Sequence, residues 1–590
     1  MNTADPDALM RRAEQAFASG QLDAARVDLR TIRQLVGEQP TALHLSALVE
    51  RKAGNDAAAE AAFRAALDLA PGDPQINTNF ANLLAATGDS DGALDHYDRA
   101  IRSAPGLADA RLNRALLLQR LGRFEDALAE IERLIADKVT SAKIYSVRGA
   151  LLRSLDRLGE AAEAFDAALA LEPGRPVALH GRARVALERG EDDCAGFYAR
   201  ALASSPGNPE LLIGLAEALE LDGRAAEGIS GLAMAVEREP GWAEGQALLA
   251  RMRWEAGEGR AFTRDLEAAA EKRNDPGLWA ALASTLAGAD LYAEAADAAQ
   301  RGAALGGENE ALRLAEAGFA SEAGEIERAD TLFADLPAGL PGRSLGEGRH
   351  ALRAGRYDDA VALLEAACDE QAWSVAAWAL TSLAWRLTGN ARAEWLNDQP
   401  GFVSADDLGL DEDQIRAIAD RLRSIHRTRA HPIAQSLRGG TQTRGRLFER
   451  TEPEIVLLAD RIRVAVARYW HGLPAPDADH PLLRHRQAAP RIEGSWSVRL
   501  TDGGFHVAHF HPRGIVSSAT YLAVPETSER HEGWLEIGGP PAELNLPLEP
   551  LFRIEPVPGR LALFPSYMFH GTRPFAQGER LTAAFDVIAR

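Results

Sequence analysis

The sequence predicts a multidomain α+β protein, with an all-α helical repeat solenoid followed by a double-stranded β-helix (jelly roll) that has flanking helices. Glycines recur at intervals close to 34 residues in the first two-thirds of the chain, and after Ser495 the hydrophobic pattern alternates every two residues. The length of 590 residues exceeds what one hydrophobic core supports. We therefore predict a repeat domain at 1–396, a connector at 397–410 and a second domain at 411–590.

Composition and charge exclude several classes of function. Hydrophobic residues make up 46% and charged residues 26% of the chain, as in globular proteins. A net charge of −21 argues against nucleic acid as a partner, because nucleic-acid binding needs basic surfaces that displace counterions. The same charge argues against an anionic membrane surface, but it leaves a cationic client possible.

Cysteine usage and the N-terminus bear on the compartment. The two cysteines, Cys194 and Cys368, lie far apart in separate predicted helices, so we expect no disulfide framework and a reducing cytoplasm. The N-terminus lacks the apolar stretch of a signal peptide, and no apolar run is long enough to predict a membrane span. The abundance of Ala, Arg, Asp and Gly suggests a bacterial gene.

Three features recur along the repeat region. A glycine marks each period, a small residue follows it by five positions, and a proline falls near the end of many units. Each unit is therefore predicted to be two amphipathic helices: the glycine turns the chain, the small residue lets the helices approach, and the proline ends the second helix. The glycines include Gly20, Gly54, Gly88, Gly122, Gly190, Gly223, Gly257, Gly324, Gly355 and Gly389, with Asp156 in one glycine position.

These repeats resemble tetratricopeptide repeats over about residues 7–395, in about 10–12 copies. The alternative is another α-helical solenoid, such as Sel1-like repeats. The resemblance implies a superhelix whose concave face holds a protein or peptide client. No basic stripe or aromatic ladder in the sequence identifies that client.

The chain changes character after residue 396. Residues 397–410 are rich in Asp, Gly and Pro, which suits a connector, and two helical stretches follow at about 411–428 and 453–472. Ten of the fourteen histidines lie after residue 400. Short strands separated by turn residues then predict a sandwich or jelly roll. The predicted strands are 495–501, 505–510, 514–524, 533–538, 559–566 and 580–589.

Three histidines and an arginine in this region suggest a metal site. His509 and His511 are two residues apart, so both side chains point to the same face of a strand. His570 follows a strand far downstream, and Arg580 and Thr582 share one face of the last strand. Two strand-borne imidazoles, a third from a distant strand and a buried arginine would form a non-haem iron site that holds a 2-oxo acid, with the arginine on its far carboxylate.

The region 403–590 resembles the 2-oxoglutarate/Fe(II) oxygenase superfamily, and more narrowly a bacterial group that often carries N-terminal tetratricopeptide repeats. Each motif alone is weak, whereas their combined spacing is specific. The motifs are His509-Phe510-His511-Pro512, Ser517–Leu522, Gly533-Trp534-Leu535, Gly559–Ser566 followed by His570, Glu579-Arg580, and the upstream Gly440-Thr441-Gln442-Thr443.

The resemblance implies an enzyme that uses Fe(II) and 2-oxoglutarate, converts 2-oxoglutarate to succinate and carbon dioxide, and hydroxylates a substrate. His509, His511 and His570 would bind the metal, with no further catalytic residue. Arg580 would anchor the cosubstrate. Tyr521 and Thr582 would add hydrogen bonds to it. Recruitment by the repeats favours a protein or peptide substrate.

One position departs from the superfamily pattern, in which the second ligand is usually Asp or Glu. Here it is His511. Three imidazoles then complete the site, or Asp502 or Glu536 supplies a carboxylate while His511 faces the substrate or supports a ligand. Three imidazoles also suit zinc.

Two other functions remain open from sequence alone. The C-terminal domain could be a cupin-like metal protein without 2-oxoglutarate chemistry, or a degenerate oxygenase in a chain that works as a scaffold. His506 is expected to face solvent, Trp496 and Trp534 are expected in the core, and 440–443 is a lid, a substrate loop or an irregular connector.

Overall fold

The computed structural model describes residues 5–305, 309–371, 374–427, 432–526 and 530–589. The chain divides into two compact units, Met1–Val185 and Ala186–Arg590. In the part of the chain that is described, no helix has both the length and the apolarity that crossing a membrane requires.

Helical pairs build the first unit from residue 5 onward. In each pair the second helix packs back against the first, and the pairs follow one another along the chain. The helices are α1 (Pro6–Ala18), α2 (Leu22–Val36), α3 (Pro40–Lys52), α4 (Asp56–Leu69), α5 (Pro74–Thr87), α6 (Ser90–Ser103), α7 (Ala108–Arg120), α8 (Phe124–Ala136), α9 (Ala142–Ser154) and α10 (Leu158–Leu171), followed by α11 (Pro176–Arg189) at the unit boundary.

The recurring residues have the predicted roles with one correction. Gly88 ends α5 with a φ of 97°, and Asp156 has a φ of 55° in the equivalent turn, a region that glycine tolerates best. The small residues five positions later, such as Ala93 and Ala127, are fully buried between helices. The prolines were expected to end second helices. Instead, Pro40 and Pro74 begin the next helix, where the missing N–H has no partner to lose.

The same helical pairs continue into the second unit. Its helices are α12 (Cys194–Ser204), α13 (Pro209–Leu221), α14 (Ala225–Arg238), α15 (Ala243–Glu255), α16 (Arg264–Arg273), α17 (Pro276–Gly288), α18 (Tyr292–Leu305), α19 (Glu310–Glu322), α20 (Ile326–Asp335), α21 (Arg343–Arg353), α22 (Tyr357–Glu370), α23 (Val375–Thr388), α24 (Arg392–Asn397), α25 (Glu412–Ile425) and α26 (Pro453–Gly472). The last two are the helices predicted to flank the β region.

The β region contains two antiparallel sheets. A six-stranded sheet has the order β1-β7-β4-β9-β3-β2, and a three-stranded sheet has the order β6-β5-β8. Two sheets of this kind suit a double-stranded β-helix, which stays a prediction. The strands are β1 (Ser404–Asp407), β2 (Leu437–Gln442), β3 (Pro490–His506), β4 (Val516–Ala523), β5 (Leu535–Ile537), β6 (Phe552–Ile554), β7 (Arg560–Pro565), β8 (His570–Thr572) and β9 (Glu579–Ala589).

Several segments differ from their predicted structure. The predicted strand 505–510 ends as β3 at His506, so His509 forms only an isolated bridge and His511 lies outside any strand. The segment 397–410, predicted as a connector, contains β1, which pairs with β7 at the edge of the large sheet. Edge strands are often charged, and the polar residues of β1 show no hydrophobic alternation that would have predicted a strand. Residues 502–504, predicted as a turn, lie inside β3, where Gly504 allows the backbone of Gly439 on β2 to approach closely.

Among the hydrophobic clusters of the second unit, one joins its last repeats to the β region. Leu383 and Trp385 of α23 belong to the same buried cluster as Leu563 of β7 and Phe585 of β9. The compact units therefore divide inside the repeat array at residue 185, whereas the proposed domain boundary at 396 lies within a continuous core. That boundary stays a prediction.

Within the second unit, a segment of the β region lies along the ends of successive repeat helices. We call residues 432–450 the docking segment. The Ala434 N–H donates to the carbonyl of Gly288 at the end of α17 (2.8 Å), and the Arg446 N–H donates to the carbonyl of Glu188 near the end of α11 (2.7 Å). Arg450 donates to the carbonyl of Gly190 (2.6 Å). Cationic side chains suit these helix ends, which carry partial negative charge.

Candidate metal and cosubstrate site

The three predicted histidines lie together at the join between the two sheets. His509 follows β3 and His570 begins β8, and the two residues form an isolated antiparallel bridge through both of their backbone N–H groups (3.0 and 2.8 Å). One ligand nitrogen from each of His509, His511 and His570 lies within 4.8 Å of the others. Among the described residues this is the one group of histidine, cysteine and carboxylate side chains with that spacing.

Backbone carbonyls fix the rings of His509 and His570. Nδ1 of His509 lies 2.9 Å from the carbonyl of Val507, and Nδ1 of His570 lies 3.1 Å from the carbonyl of Met568. A carbonyl only accepts, so each Nδ1 carries the proton and each Nε2 keeps its lone pair. Both rings therefore present Nε2 as a ligand atom.

A carboxylate fixes the third ring in the same way. Nδ1 of His511 is hydrogen-bonded to Oδ1 of Asp586 on β9, so the Nε2 of His511 is also directed inward. Nε2 of His511 lies 3.1 Å from Nε2 of His509. Lone pairs that face each other at this distance repel unless a cation lies between them, and ligand histidines usually donate the outer N–H to such acceptors. The cluster fits a metal ion.

Burial keeps two of these histidines neutral. It lowers the pKa of His509 to about 3, with a smaller contribution from the neighbouring His511. It also lowers the pKa of His570 well below its ordinary value, and the nearby histidines add to this effect. Neutral imidazoles have the free lone pair that metal binding requires.

Asp586 is the site residue that the sequence reasoning missed. Neither proposed carboxylate joins the histidines: Asp502 accepts from the Gly578 N–H in a turn (2.9 Å), and Glu536 pairs with Arg553 (3.1 Å). Asp586 instead accepts a hydrogen bond from Nδ1 of His511, on the side of the ring opposite the ligand atom Nε2. The spacing could have predicted this, because Asp586 follows Arg580 by six residues, and side chains an even number of residues apart lie on the same face of a strand.

Arg580 is a buried cation beside the histidines. Its side chain is 2% exposed and lines the same cavity, yet no acidic side chain pairs with it among the described residues. Its Nε has no hydrogen-bond partner there either. Burial lowers the pKa of Arg580, although an arginine remains charged. Because an unpaired buried charge is costly, the site fits an anionic ligand such as a carboxylate.

Tyr521 on β4 and Thr582 on β9 are paired across the two strands, close to the predicted cosubstrate anchor Arg580. The guanidinium of Arg580 lies 5.1 Å from the centre of the Tyr521 ring; burial raises the pKa of the Tyr521 hydroxyl, and the nearby Arg580 opposes that shift. Tyr521 is absent from the residues that line the cavity, whereas Thr582 lines it. Thr582 is therefore better placed than Tyr521 to contact a ligand.

The cavity around this site has a volume of about 1180 Å³ and two kinds of wall. The β region supplies the histidines, Arg580 and an aromatic wall that includes Trp496 and Phe510. Trp496, which was expected in the core, is half-buried against a small hydrophobic cluster around Val498, and it also lies against His511 with ring centres 5.5 Å apart. The repeats supply the remaining wall, which consists of Ser284, Ala287, Gly288, Asp290, Tyr292 and Arg349.

Two other expectations change. His506 was expected to face solvent, but it is half-buried in the cavity wall, with Nδ1 3.0 Å from the Ser436 hydroxyl. Residues 440–443, left open as a loop or a connector, largely form β2. A Cβ at Gly440 would meet the carbonyl oxygen of Arg499 at 2.3 Å, so this glycine allows the two strands to pair.

Comparisons with known families agree with this architecture. The family model described as "Putative 2OG-Fe(II) oxygenase" matches residues 494–586. Two models described as "Tetratricopeptide repeat" match 84–151 and 195–252, and 10–74, 146–209 and 345–394. The chain thus carries tetratricopeptide repeats and a C-terminal domain of that oxygenase family, which confirms the predicted fusion. A comparison with curated proteins gives no match.

Several solved structures are similar to parts of the chain. MamA shares 23% identity over 28% of this chain and 96% of its own length, with a TM-score of 0.26. The C-terminal part of a TPR repeat-containing protein from Cytophaga hutchinsonii shares 15% identity over 41% of this chain and 99% of its own, with a TM-score of 0.35. YrrB, a TPR protein with an unusual peptide-binding site, shares 18% identity over 31% and 95%, with a TM-score of 0.29.

Proposed function

We propose that this chain, in which tetratricopeptide repeats precede a domain of the 2OG-Fe(II) oxygenase family, is an Fe(II)- and 2-oxoglutarate-dependent dioxygenase that hydroxylates a protein or peptide. One observation carries the proposal. Three imidazoles with inward Nε2 atoms line one cavity with a buried arginine that has no acidic partner in the described part of the chain. Such a cavity suits a metal ion and an anion, and 2-oxoglutarate has both a chelating end and a far carboxylate for the arginine.

Each residue has a definite task in this proposal. His509, His511 and His570 hold the metal through Nε2, and Asp586 keeps His511 in the required tautomer. Arg580 holds the far carboxylate of 2-oxoglutarate through its planar fork, with Thr582 beside it. Fe(II), when bound, supplies the redox chemistry that couples decarboxylation of 2-oxoglutarate to substrate hydroxylation. No further catalytic residue is proposed.

The substrate class rests on the position of the repeats. Tetratricopeptide repeats are protein-interaction modules, and here Ala287, Tyr292 and Arg349 of the repeats line the cavity that contains the histidines. A client bound to the repeats would therefore lie close to the metal. The two cysteines are buried in separate helices, α12 and α22, which suits a reducing compartment, and we include a bacterial cytoplasm in the proposal.

Two alternatives remain: a cupin-like metal domain without 2-oxoglutarate chemistry, and a scaffold with a degenerate oxygenase domain. Arg580 separates them from the proposal, since neither needs a carboxylate anchor. We expect Arg580→Ala to weaken 2-oxoglutarate binding at least about tenfold, because hydrogen bonds to charged groups contribute about 1.5–3 kcal/mol each. Titration of the anaerobic, metal-loaded protein with 2-oxoglutarate measures this.

Arg499→Ala is the matched control, since Arg499 lies on the neighbouring strand β3 and pairs with Glu579 instead of lining the cavity. We expect this variant to bind 2-oxoglutarate as the unmodified protein does. Equal binding by the Arg580 and Arg499 variants would refute the anchor, and no binding by the unmodified protein would favour the alternatives.

A further inference from the structure

One part of the docking segment connects the repeats to the histidine cluster of His509, His511 and His570. We call residues 432–438 the strap. At one point the strap is held by the repeats through the hydrogen bond from the Ala434 N–H to the carbonyl of Gly288 (2.8 Å). Ile433 packs against the hydrophobic cluster of α17 and its neighbours, and Arg438 forms an ion pair with Asp290. The strap therefore has repeat contacts on both sides of Ser436.

Ser436 contacts the histidine cluster at a position between those two repeat contacts of the strap. Its hydroxyl oxygen lies 3.1 Å from Nε2 of His509 and 3.0 Å from Nδ1 of His506. Its carbonyl accepts the N–H of Val507 (2.9 Å), the residue whose own carbonyl fixes the ring of His509. Ser436 is thus joined to His509 by a direct contact and through the backbone of Val507.

These contacts place the Ser436 hydroxyl next to Nε2 of His509, the side of the ring that would face a metal ion. Nδ1 of His509 is bound to a carbonyl, so Nε2 is the nitrogen available to a metal, and the Ser436 hydroxyl lies beside that atom. Without a metal the hydroxyl can donate to this Nε2; if a metal ion took the Nε2 lone pair, the hydroxyl proton could turn to Nδ1 of His506, and the oxygen lone pairs would then face the cation. A serine here can orient both the ring and a metal-bound ligand.

We propose that Ser436 is a positioning residue of the metal centre, and that the repeats hold it there through the strap. This inference rests on the proposed metal site. It also gives the repeats a role beyond client recruitment: anything that shifts the end of α17 changes metal affinity, and metal binding in turn favours the docked strap. The repeat array is then part of the metal site.

Gly288 provides a test from the repeat side. A Cβ added at Gly288 would lie 2.5 Å from Cγ2 of Ile433 and 3.3 Å from the Ala434 N, so the strap would have to move. Gly288 ends α17 and has no positive φ, so alanine adds no backbone strain. Gly318 in α19 is the matched control, because a Cβ there has nothing within 4 Å.

The experiment measures Co(II) binding to the full chain by its visible absorption, with a thermal melt of each variant as a check on folding. We expect Gly288→Ala to weaken Co(II) binding about tenfold and to alter the visible absorption band of the bound Co(II), because residues that orient metal ligands affect both. Gly318→Ala should match the unmodified protein. Ser436→Ala should resemble Gly288→Ala, and Ser436→Thr, which keeps the hydroxyl, should restore most of the affinity.

The double variant Gly288→Ala/Ser436→Ala shows whether the two residues act through one path. If they do, it binds Co(II) no more weakly than the worse single variant. Additive losses, or a Gly288→Ala protein with the affinity and spectrum of Gly318→Ala, would overturn the strap proposal while the metal site remains. Failure of the unmodified protein to bind Co(II) would instead remove the metal site, and with it both proposals.

Discussion

At the scale of single residues, the protons on three imidazoles decide what the cluster can bind. Each Nδ1 has an oxygen acceptor, from two backbone carbonyls and the Asp586 carboxylate, so three Nε2 lone pairs remain for a cation. The sequence predicted the histidines from their spacing and from family motifs. It did not single out Asp586, because a lone aspartate in a strand has no motif, although its alternation with Arg580 places both on one face.

Asp586 therefore tests how the third ligand is held. We expect Asp586→Asn to weaken Co(II) binding about 10- to 100-fold, because the neutral amide holds the His511 Nδ1–H less strongly than the carboxylate does. Equilibrium titration with Co(II) measures the loss. Asp502→Asn is the control and should bind normally, since Asp502 only caps the turn at Gly578. A larger loss in the Asp502 variant would mean that Asp502 is a ligand after all.

At the scale of elements, the docking segment is held to the repeats by helix ends and by buried charge. Arg444 pairs with Glu255 at the end of α15 (2.5 Å) and lies 3.4 Å from Glu220 of α13, and Arg251 contacts both carboxylates. The helices themselves were predictable from periodicity. Their partner was not, because the residues that meet the segment are ordinary charged residues at helix ends.

Arg444→Ala should destabilise the second unit by about 3 kcal/mol, since it leaves two buried carboxylates with one arginine. Burial raises the pKa of Glu220, whereas in Glu255 burial is outweighed by Arg444 and Arg251, which lower its pKa. Without Arg444 both pKa values rise. A carboxyl with a raised pKa favours folding at low pH and loses that contribution as pH increases, so the deficit should be larger at pH 8 than at pH 5.

Denaturant unfolding at the two pH values measures this difference. The control is Arg416→Ala, whose ion pair with Asp413 is largely exposed and should contribute less than about 0.5 kcal/mol. A deficit for Arg444→Ala that is independent of pH would show that the two carboxylates are not what the arginine stabilises.

At the scale of the whole molecule, the compact units do not follow the boundary between repeat and strand sequences. The repeat period predicted the helical repeats correctly, and the change to two-residue alternation predicted the antiparallel β region, whereas the jelly roll stays a prediction. They could not reveal that Leu383 of α23 and Phe585 of β9 would share one core, because periodicity identifies the buried face of an element and not what covers it.

Leu383→Ala tests this shared core. Leu383 is 1% exposed, and truncation of a buried leucine typically costs about 2–5 kcal/mol. We expect amide hydrogen exchange to become faster in β4 and β9 as well as in α23, because they unfold together. Leu305→Ala, at an exposed leucine of the same unit, should leave exchange unchanged. Faster exchange confined to the repeat helices would contradict the shared core.

The most direct test of the central claim is turnover of 2-oxoglutarate without added substrate. The protein would be purified without oxygen, stripped of metal and reloaded with Fe(II), and succinate would be measured beside a His570→Ala variant. We predict succinate that requires Fe(II) and is lost in the variant, because His570 contributes one of three ligand nitrogens. Absence of succinate, together with tightly retained zinc and no binding of 2-oxoglutarate, would contradict the assignment as an oxygenase.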